Sequence, residues 1–325
     1  MQSPERKAMP IMTYPGLTLV SGNVQNMVQN GEVQYQCIKA LSDRYPTIAS
    51  ATLIMDLSVE AEAFGSEVRY SPDEIPTVTG RLLTSFDEIE SLDIPYPGKL
   101  RTGENLRAAS LAVNNITDRP VLGGMIGPFS LAGRLYDISE LMMGILIDPE
   151  GAHSLLNTCT AFLMNYAAHF KETGANGIVI AEPAAGLLAA NECEEFSSCY
   201  IKMINDHVQD ENFMVILHNC GNTENLVQSM AGTGCMGLHF GNAVDMANIL
   251  PQAPDGRLVF GNLDPAGIIK NSTTGIVFEK TMELLRKTAH YRNFILSSGC
   301  DIPPGTPLEN IDAMFEALHA FNQKP

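Results

Sequence analysis

The residues best suited to chemistry in this chain are one histidine and two cysteines, His218, Cys220 and Cys300. The first two follow an apolar run at residues 213–217, and Cys300 stands far downstream in a Ser-Gly-Cys-Asp segment. Zinc prefers imidazole and thiolate ligands; a structural site normally takes four protein ligands, whereas a catalytic site takes three and keeps one position open. The trio therefore predicts a catalytic zinc ion, provided that the fold brings Cys300 beside the other two.

The alternative interpretation is that Cys220 and Cys300 are merely small buried side chains, as many free cysteines are. Both, however, stand beside glycine at the end of a predicted strand. Side chains two residues apart in a strand point to the same face, so His218 and Cys220 can share one ion. We therefore favour zinc, and we interpret the remaining cysteines as packing residues. These are Cys37, Cys159, Cys193, Cys199 and Cys235.

Two thiolates and one imidazole define the chemistry of such a site. They leave a zinc ion with a net charge of about −1, which makes it a weaker Lewis acid than a site with three histidines. This centre is better suited to binding an incoming thiol, lowering its pKa and keeping the thiolate nucleophilic. A thiolate nucleophile favours alkyl transfer. Zinc-dependent alcohol oxidation is less favoured, because the chain has no Gly-x-Gly-x-x-Gly fingerprint for a dinucleotide.

Seven short apolar segments predict strands that are buried on both faces of a parallel sheet. They are residues 51–56, 120–126, 177–182, 213–218, 235–240, 258–262 and 294–298. Amphipathic helical patterns separate most of them. They are residues 149–173, 193–208, 223–231, 244–250, 274–287 and 307–321, and the first is followed by Gly174 at a C-cap position. Residues 67–70 and 77–83 interrupt this order and predict a hairpin.

The alternation of strands and helices indicates βαβ units, and hence an α/β fold. We predict a single (β/α)8 TIM-type barrel over residues 1–325, with a helical N-terminal extension at about residues 1–45. A closed barrel needs an eighth strand, which we expect near the N-terminus.

Most of the predicted strands end in a polar residue, and parallel barrels carry their active sites at this end. Asp56 is interpreted as a pocket carboxylate, with the N-cap of a helix as the alternative. Glu182 needs a buried partner, and we assign it as a fourth zinc ligand or an acid–base group. His239 is either a catalytic group or part of the pocket wall. Asp264, which precedes a proline, is better explained as a helix N-cap.

Three further residues near these ends have open roles. Asp301 directly follows Cys300 and is either a group that supports the metal ligands or a turn residue. Arg101 and Arg134 are candidate anchors for an anionic group.

Composition narrows the class of protein. The formal charge of −17 argues against nucleic acid as the main partner, because phosphate binding needs a basic surface. The seven cysteines are odd in number and lack a framework spacing, which indicates a reducing compartment. The N-terminus has no apolar signal core, and the chain has no uninterrupted apolar stretch of about 18–20 residues. We therefore expect a cytoplasmic protein without a membrane span.

Several motifs resemble the uroporphyrinogen decarboxylase superfamily. Within it they resemble the corrinoid-dependent methyltransferases, typified by methylcobamide:coenzyme M methyltransferases. The motifs are His-Asn-Cys-Gly at 218–221, Gly-Asn-Leu-Asp-Pro at 261–265 and the segments 56–65, 127–132, 182–184 and 295–304. The resemblance covers the chain from about residue 10. It implies a (β/α)8 barrel with the site in its mouth, and a zinc ion on His218, Cys220 and Cys300 that activates an acceptor thiol.

The resemblance also implies a reaction and its partners. The expected function is zinc-dependent transfer of a methyl group from a methylated corrinoid (methylcobamide or methylcobalamin) to a thiol such as coenzyme M, or to tetrahydrofolate. The expected partners are a corrinoid carrier protein and a small thiol or pterin acceptor, and the chain is compatible with a homodimer. We assign Asp56, Glu182 and His239 to catalysis, and Asn262, Asp301 and Phe129 to cofactor binding.

Two other functions stay open at this point. The first is metal-free decarboxylation of a tetrapyrrole, since Asp56 matches the position of the decarboxylases' substrate aspartate. Against it, the arginine-rich N-terminal motif of those enzymes is missing, and residues 24–36 contain no arginine. The second is a non-catalytic partner of a corrinoid protein, which the intact ligand trio argues against.

Overall fold

The computed structural model describes residues 5–323, and its main feature is a parallel sheet of seven strands. Neighbouring strands follow the order of the chain, so each βαβ unit adds one strand beside the last. The strands are β1 (Ser50–Ala51), β4 (Val121–Ile126), β5 (Gly177–Ala181), β6 (Met214–Asn219), β7 (Gly237–Phe240), β8 (Leu258–Leu263) and β9 (Phe294–Ser298). All seven predicted strands are confirmed, although the first is much shorter than predicted.

The gap between β9 and β1 is closed by an extended segment that begins at Lys7. The N–H of Met9 donates to Leu296 O in β9 (2.8 Å), and the N–H of Leu296 donates to Lys7 O (3.0 Å). On the other side, the N–H of Ile48 donates to Ala8 O (3.0 Å). Residues 7–11 occupy the position of the eighth strand that the sequence predicts near the N-terminus. We call this segment the N-terminal stave.

Thirteen α-helices lie among the described residues. They are α1 (Val24–Val28), α2 (Gly31–Arg44), α3 (Val59–Phe64), α4 (Arg101–Asn115), α5 (Pro128–Tyr136), α6 (Ile138–Ile147), α7 (Pro149–Glu172), α8 (Ala190–Cys193), α9 (Cys199–Val208), α10 (Val227–Gly232), α11 (Met246–Ile249), α12 (Thr274–Lys287) and α13 (Leu308–Asn322). The helical N-terminal extension is present as α1 and α2, preceded by a 3₁₀ turn. The predicted hairpin is confirmed as β2 (Val68–Arg69) and β3 (Thr77–Val78).

Two hydrophobic layers hold this architecture. The larger lies between the sheet and the surrounding helices, where α7 contributes the fully buried rings of Phe162, Tyr166 and Phe170. The smaller layer fills the barrel interior with side chains from several strands, including Ile216, Phe260 and Ile295. Because side chains two residues apart share a face, His218 and Ser297 lie on the same side of their strands as Ile216 and Ile295, one layer closer to the mouth. The interior thus changes from apolar to polar where the strands end.

No helix within residues 5–323 is both long and apolar enough to cross a membrane.

Candidate metal centre

The fold brings the three predicted metal ligands together. One ligand atom from each of His218, Cys220 and Cys300 lies within 4.8 Å of the other two. Tetrahedral zinc with normal bond lengths separates such atoms by roughly 3.5–3.8 Å, so a small contraction suffices to hold an ion. His218 is fully buried, and the two cysteines are partly exposed. The trio therefore forms a cluster with an open side, as the sequence predicts.

The Nε2 atom of His218 indicates that the cluster fits a metal ion. Its Nδ1 lies 2.8 Å from Nδ1 of His239, whereas its Nε2 is buried and has no hydrogen-bond partner. Buried polar atoms are nearly always paired, so an orphaned ring nitrogen needs an explanation. A metal ion beside the two sulfurs supplies the missing partner, because neutral imidazole is a common ligand of zinc.

Contacts with the backbone fix the turn that carries Cys220. The Asn219 side chain accepts from the N–H of Gly221 (2.8 Å) and donates to Glu182 O (2.8 Å), which holds the turn around Cys220. A Cβ on Gly241 would lie 2.4 Å from the Cα of Cys220. The strand end beside Cys220 can therefore carry only glycine at this position, since so close a backbone approach excludes any side chain.

The two thiols influence each other's ionisation. A hydrogen bond from Cys300 stabilises the thiolate of Cys220 and, with the nearby His218, lowers the pKa of Cys220 despite its burial. The same hydrogen bond, burial and the adjacent negative charge raise the pKa of Cys300. One sulfur is therefore ready to bind a cation as a thiolate, and a dication is the natural means of ionising the second.

His239 lies behind His218 rather than at the open side of the cluster. It is fully buried, and burial together with the neighbouring imidazole holds its pKa well below the usual value, so it is neutral. Its other ring nitrogen, Nε2, lies 2.8 Å from Ser297 Oγ. His239 therefore contacts the predicted ligand His218 and not the open side of the cluster, and its catalytic role stays a prediction.

Glu182 is not part of the cluster. Its carboxylate oxygens accept from the N–H groups of Phe129 (3.0 Å) and Ser130 (2.6 Å), in the first turn of α5. A buried carboxylate at a helix N-terminus is stabilised by these donors and by the helix dipole, and burial nevertheless raises its pKa to about 7. The expectation that Glu182 supplies a fourth ligand is corrected, since both oxygens are already used by the helix.

This placement predicts how a Glu182→Gln variant behaves. The variant should keep the metal content of the wild type, because the residue is not a ligand. It should lose about 1–3 kcal/mol of unfolding free energy, because an amide nitrogen would face a backbone N–H and leave it unpaired. Metal analysis and urea denaturation measure the two effects. A variant that loses the metal but keeps the stability of the wild type would show that Glu182 is a ligand.

Asp56 is held in a buried ion-pair network. Its Oδ2 accepts from Nη1 of Arg101 (2.5 Å), and its Oδ1 accepts from Ser58 Oγ (2.5 Å). Nε of the same arginine donates to Glu62 Oε2 (2.7 Å). Burial raises the pKa of Asp56, although the charge of Arg101 opposes this shift. Asp56 is therefore a buried carboxylate rather than a helix cap, and Arg101 is not free to bind an anion.

The residues assigned to cofactor binding have different surroundings. Phe129 is fully buried in the main core, so the expectation that its ring contacts a cofactor is corrected. The side-chain amide of Asn262 donates to Gly241 O (2.9 Å) and Val244 O (2.7 Å) and so holds the loop after β7. Asp301 is buried beside Cys300, and neither of its carboxylate oxygens has a hydrogen-bond partner.

A cavity of about 370 Å³ opens beside the ends of β1, β4 and β5. Its wall includes Arg134, Ser130 and Leu187. Within the described residues Arg134 makes no ion pair or hydrogen bond, in contrast to Arg101. The 3₁₀ turn Pro183–Leu187 lines the cavity and also contacts the backbone beside Cys220, through Gly186. The role of Arg134 as an anion anchor stays a prediction.

Sequence reasoning missed Ser297 and the helix α5. Ser297 lies two residues before Gly299 in a correctly predicted strand, but nothing in the sequence shows that it faces His239. Proline at the first helical position was the signal for α5, because its fixed φ favours a helix start.

Comparisons with known proteins agree with this architecture. A family model described as uroporphyrinogen decarboxylase matches residues 17–321. The chain is 30% identical over 273 residues to the methylcobamide:CoM methyltransferase MtbA of Methanosarcina acetivorans, covering 82% of this chain and 78% of that protein. It is 25% identical over 310 residues to a uroporphyrinogen decarboxylase of Legionella pneumophila, covering 93% and 87%. A solved methyltransferase from Methanosarcina mazei has a TM-score of 0.87 at 22% identity, covering 98% of this chain and 94% of that one, and it supports the barrel fold.

Proposed function

The chain belongs to the uroporphyrinogen decarboxylase family, and we propose that it is a zinc-dependent methyltransferase rather than a decarboxylase. The proposed reaction moves a methyl group from a methylated corrinoid, held by a carrier protein, to a thiol. The observation that carries the proposal is the cluster of His218, Cys220 and Cys300 with its open side. The name of the Methanosarcina acetivorans relative supports the same reaction class.

The three side chains would hold the ion, and the partial exposure of the two cysteines leaves room for one more ligand. A zinc ion bound there would accept the acceptor sulfur and lower its pKa, so that the thiol gives up its proton. The barrel mouth around Cys220 and Cys300 then presents this sulfur to the methyl group. A sulfur–carbon bond forms as the cobalt–carbon bond breaks, and the electron pair of that bond stays on the corrinoid.

A thiol acceptor fits this cluster better than tetrahydrofolate does. A folate offers an amine nitrogen in place of a thiol, so a zinc ion on this cluster would have no thiol to bind and ionise. The cavity beside Arg134 lies next to the turn that packs against Gly221. It offers space and one unpaired cation for an anionic arm of the acceptor, and coenzyme M, with its sulfonate, is an acceptor of this kind.

The decarboxylase function is the alternative, since the Legionella pneumophila relative carries that name. It needs no metal and no cysteine. The metal-binding cluster argues against it, because a decarboxylase would have no use for an unpaired His218 Nε2 beside two thiols.

The proposal is tested with free methylcobalamin and a panel of thiols and pterins. We expect loss of the methylcobalamin absorbance to require a thiol, to depend on zinc at about one ion per chain, and to stop when a strong chelator removes that ion. Porphyrinogen decarboxylation that survives chelation, with no demethylation of methylcobalamin by any acceptor, would contradict the proposal.

A further inference from the structure

A line of short contacts runs from the metal cluster to the N-terminal stave. His218 Nδ1 lies 2.8 Å from His239 Nδ1, and His239 Nε2 lies 2.8 Å from Ser297 Oγ. Ser297 Oγ in turn donates to Met9 O, at 2.7 Å. The three side chains are fully buried, so water does not compete with these bonds. Residues far apart in sequence are thus joined end to end inside the barrel.

Met9 O, at the end of this line, determines which atom donates in each hydrogen bond along it. A backbone carbonyl can only accept, so the hydroxyl proton of Ser297 points to Met9 O. Ser297 Oγ must then accept from His239 Nε2–H. The two Nδ1 atoms are 2.8 Å apart and share one proton, and a ring that donates through Nε2 offers its lone pair at Nδ1. That nitrogen accepts from His218 Nδ1–H. Neutral imidazole carries one N–H, so Nε2 of His218 is left with its lone pair directed at the two cysteines.

We propose that the line Met9–Ser297–His239 sets the tautomer and orientation of His218, and that the N-terminal stave is therefore part of the metal centre. His239 and Ser297 are positioning residues, because they act on the ion through His218. Partners that hold a metal-ligating histidine by its second nitrogen fix its ring and increase its basicity, and their loss typically costs 10–100-fold in metal affinity. The inference rests on the proposed zinc site.

A coupling between metal binding and barrel closure follows from the same geometry. If the docked stave favours the zinc-binding tautomer, bound zinc must favour the docked stave by an equal free energy. Zinc should therefore protect the backbone amides of residues 7–9 and 11 from hydrogen exchange, beginning with the N–H of Met9 on Leu296 O. A stave that serves only to cover the barrel would show no such dependence.

Two adjacent serines provide a matched pair of variants. Ser298 is as buried as Ser297 and also holds the N-terminal stave, since its Oγ accepts from the N–H of Ile11 (3.0 Å), but it has no contact with the histidines. Ser297→Ala should raise the dissociation constant for zinc by about 10–100-fold. Ser298→Ala should change it less than threefold, although both variants loosen the stave. Competition with a chromophoric chelator measures these constants without reference to catalysis.

The wild-type protein supplies a second test that no folding defect can obscure. In ¹⁵N-labelled, zinc-loaded protein, the histidine ring signals should show His218 and His239 as neutral, with protons on Nδ1 of His218 and on Nε2 of His239. The opposite tautomer of either ring would overturn the inference, as would equal zinc affinity of the two serine variants. Wild-type protein that binds no zinc would instead refute the proposed function, so the two failures are distinguishable.

Discussion

Cys300→Ser should deprive the protein of zinc and of methyl transfer together. The substitution removes one of the two thiolates, and a serine hydroxyl stays protonated at neutral pH and is a poor ligand. The rate of methylcobalamin demethylation should fall by at least about 10²-fold. A free thiol is only a few per cent thiolate at pH 7, and a misplacement of about 1 Å alone can cost 10²-fold.

Cys199→Ser is the matched control for this experiment. Cys199 is an exposed free cysteine on α9, and it is not part of the metal cluster. Its substitution should leave the zinc content, the demethylation rate and the stability within error of the wild type, as is usual for surface changes. A Cys300→Ser protein that retains one zinc ion per chain and full activity would refute the assignment of the ligands.

Arg101→Met should destabilise the fold by about 3–5 kcal/mol. The arginine is 4% exposed and pairs with Asp56 and Glu62, so its removal leaves both carboxylates without their cationic partner, and that of Asp56 is fully buried. Methionine keeps most of the side-chain volume, so the lost free energy of unfolding reports on the removed charge. Urea denaturation followed by circular dichroism measures the change. A loss below about 1 kcal/mol, the range of exposed ion pairs, would contradict the buried network.

The pH dependence of this variant has a defined sign. Burial already raises the pKa of Asp56 above its usual value, and the loss of Arg101 removes the main effect that opposes this shift. A carboxyl with a raised pKa in the folded state is stabilising while it is protonated, and that contribution is lost as the pH rises above its unfolded pKa. Arg101→Met should therefore be less destabilised at pH 5 than at pH 8. The double variant Arg101→Met/Asp56→Asn should recover part of the loss at pH 8.

The barrel could be predicted from the sequence because its strands are short apolar runs with distinct ends. The segment 294–298 matches β9, and the pattern at 274–287 matches α12. The helix α4 was not predicted. Its sequence is rich in polar residues, and it begins after Leu100, whose positive φ is a tertiary feature rather than a local signal. The N-terminal stave is defined by its pairing with β9 and by no propensity of its own.

The clustering of His218, Cys220 and Cys300 could be predicted, because residue type and strand position suffice to bring these three residues together. The roles of the residues around the cluster could not be predicted. Glu182 and His239 both have the residue types of catalytic groups, and only the folded chain shows that one binds the first turn of α5 and the other binds His218. Such roles depend on which strand end lies opposite which, and that information is absent from a single sequence.

X-ray absorption at the zinc edge, recorded with and without the acceptor thiol, tests for a thiol-activating zinc ion on His218, Cys220 and Cys300. We expect two sulfur ligands at about 2.3 Å and at least one nitrogen ligand at about 2.0 Å in the zinc-loaded protein. When the acceptor thiol is added, the number of sulfur ligands should rise from two to three. A sulfur count that stays at two in the presence of a thiol that is being methylated, or a zinc ion without sulfur ligands, would contradict the proposed zinc site.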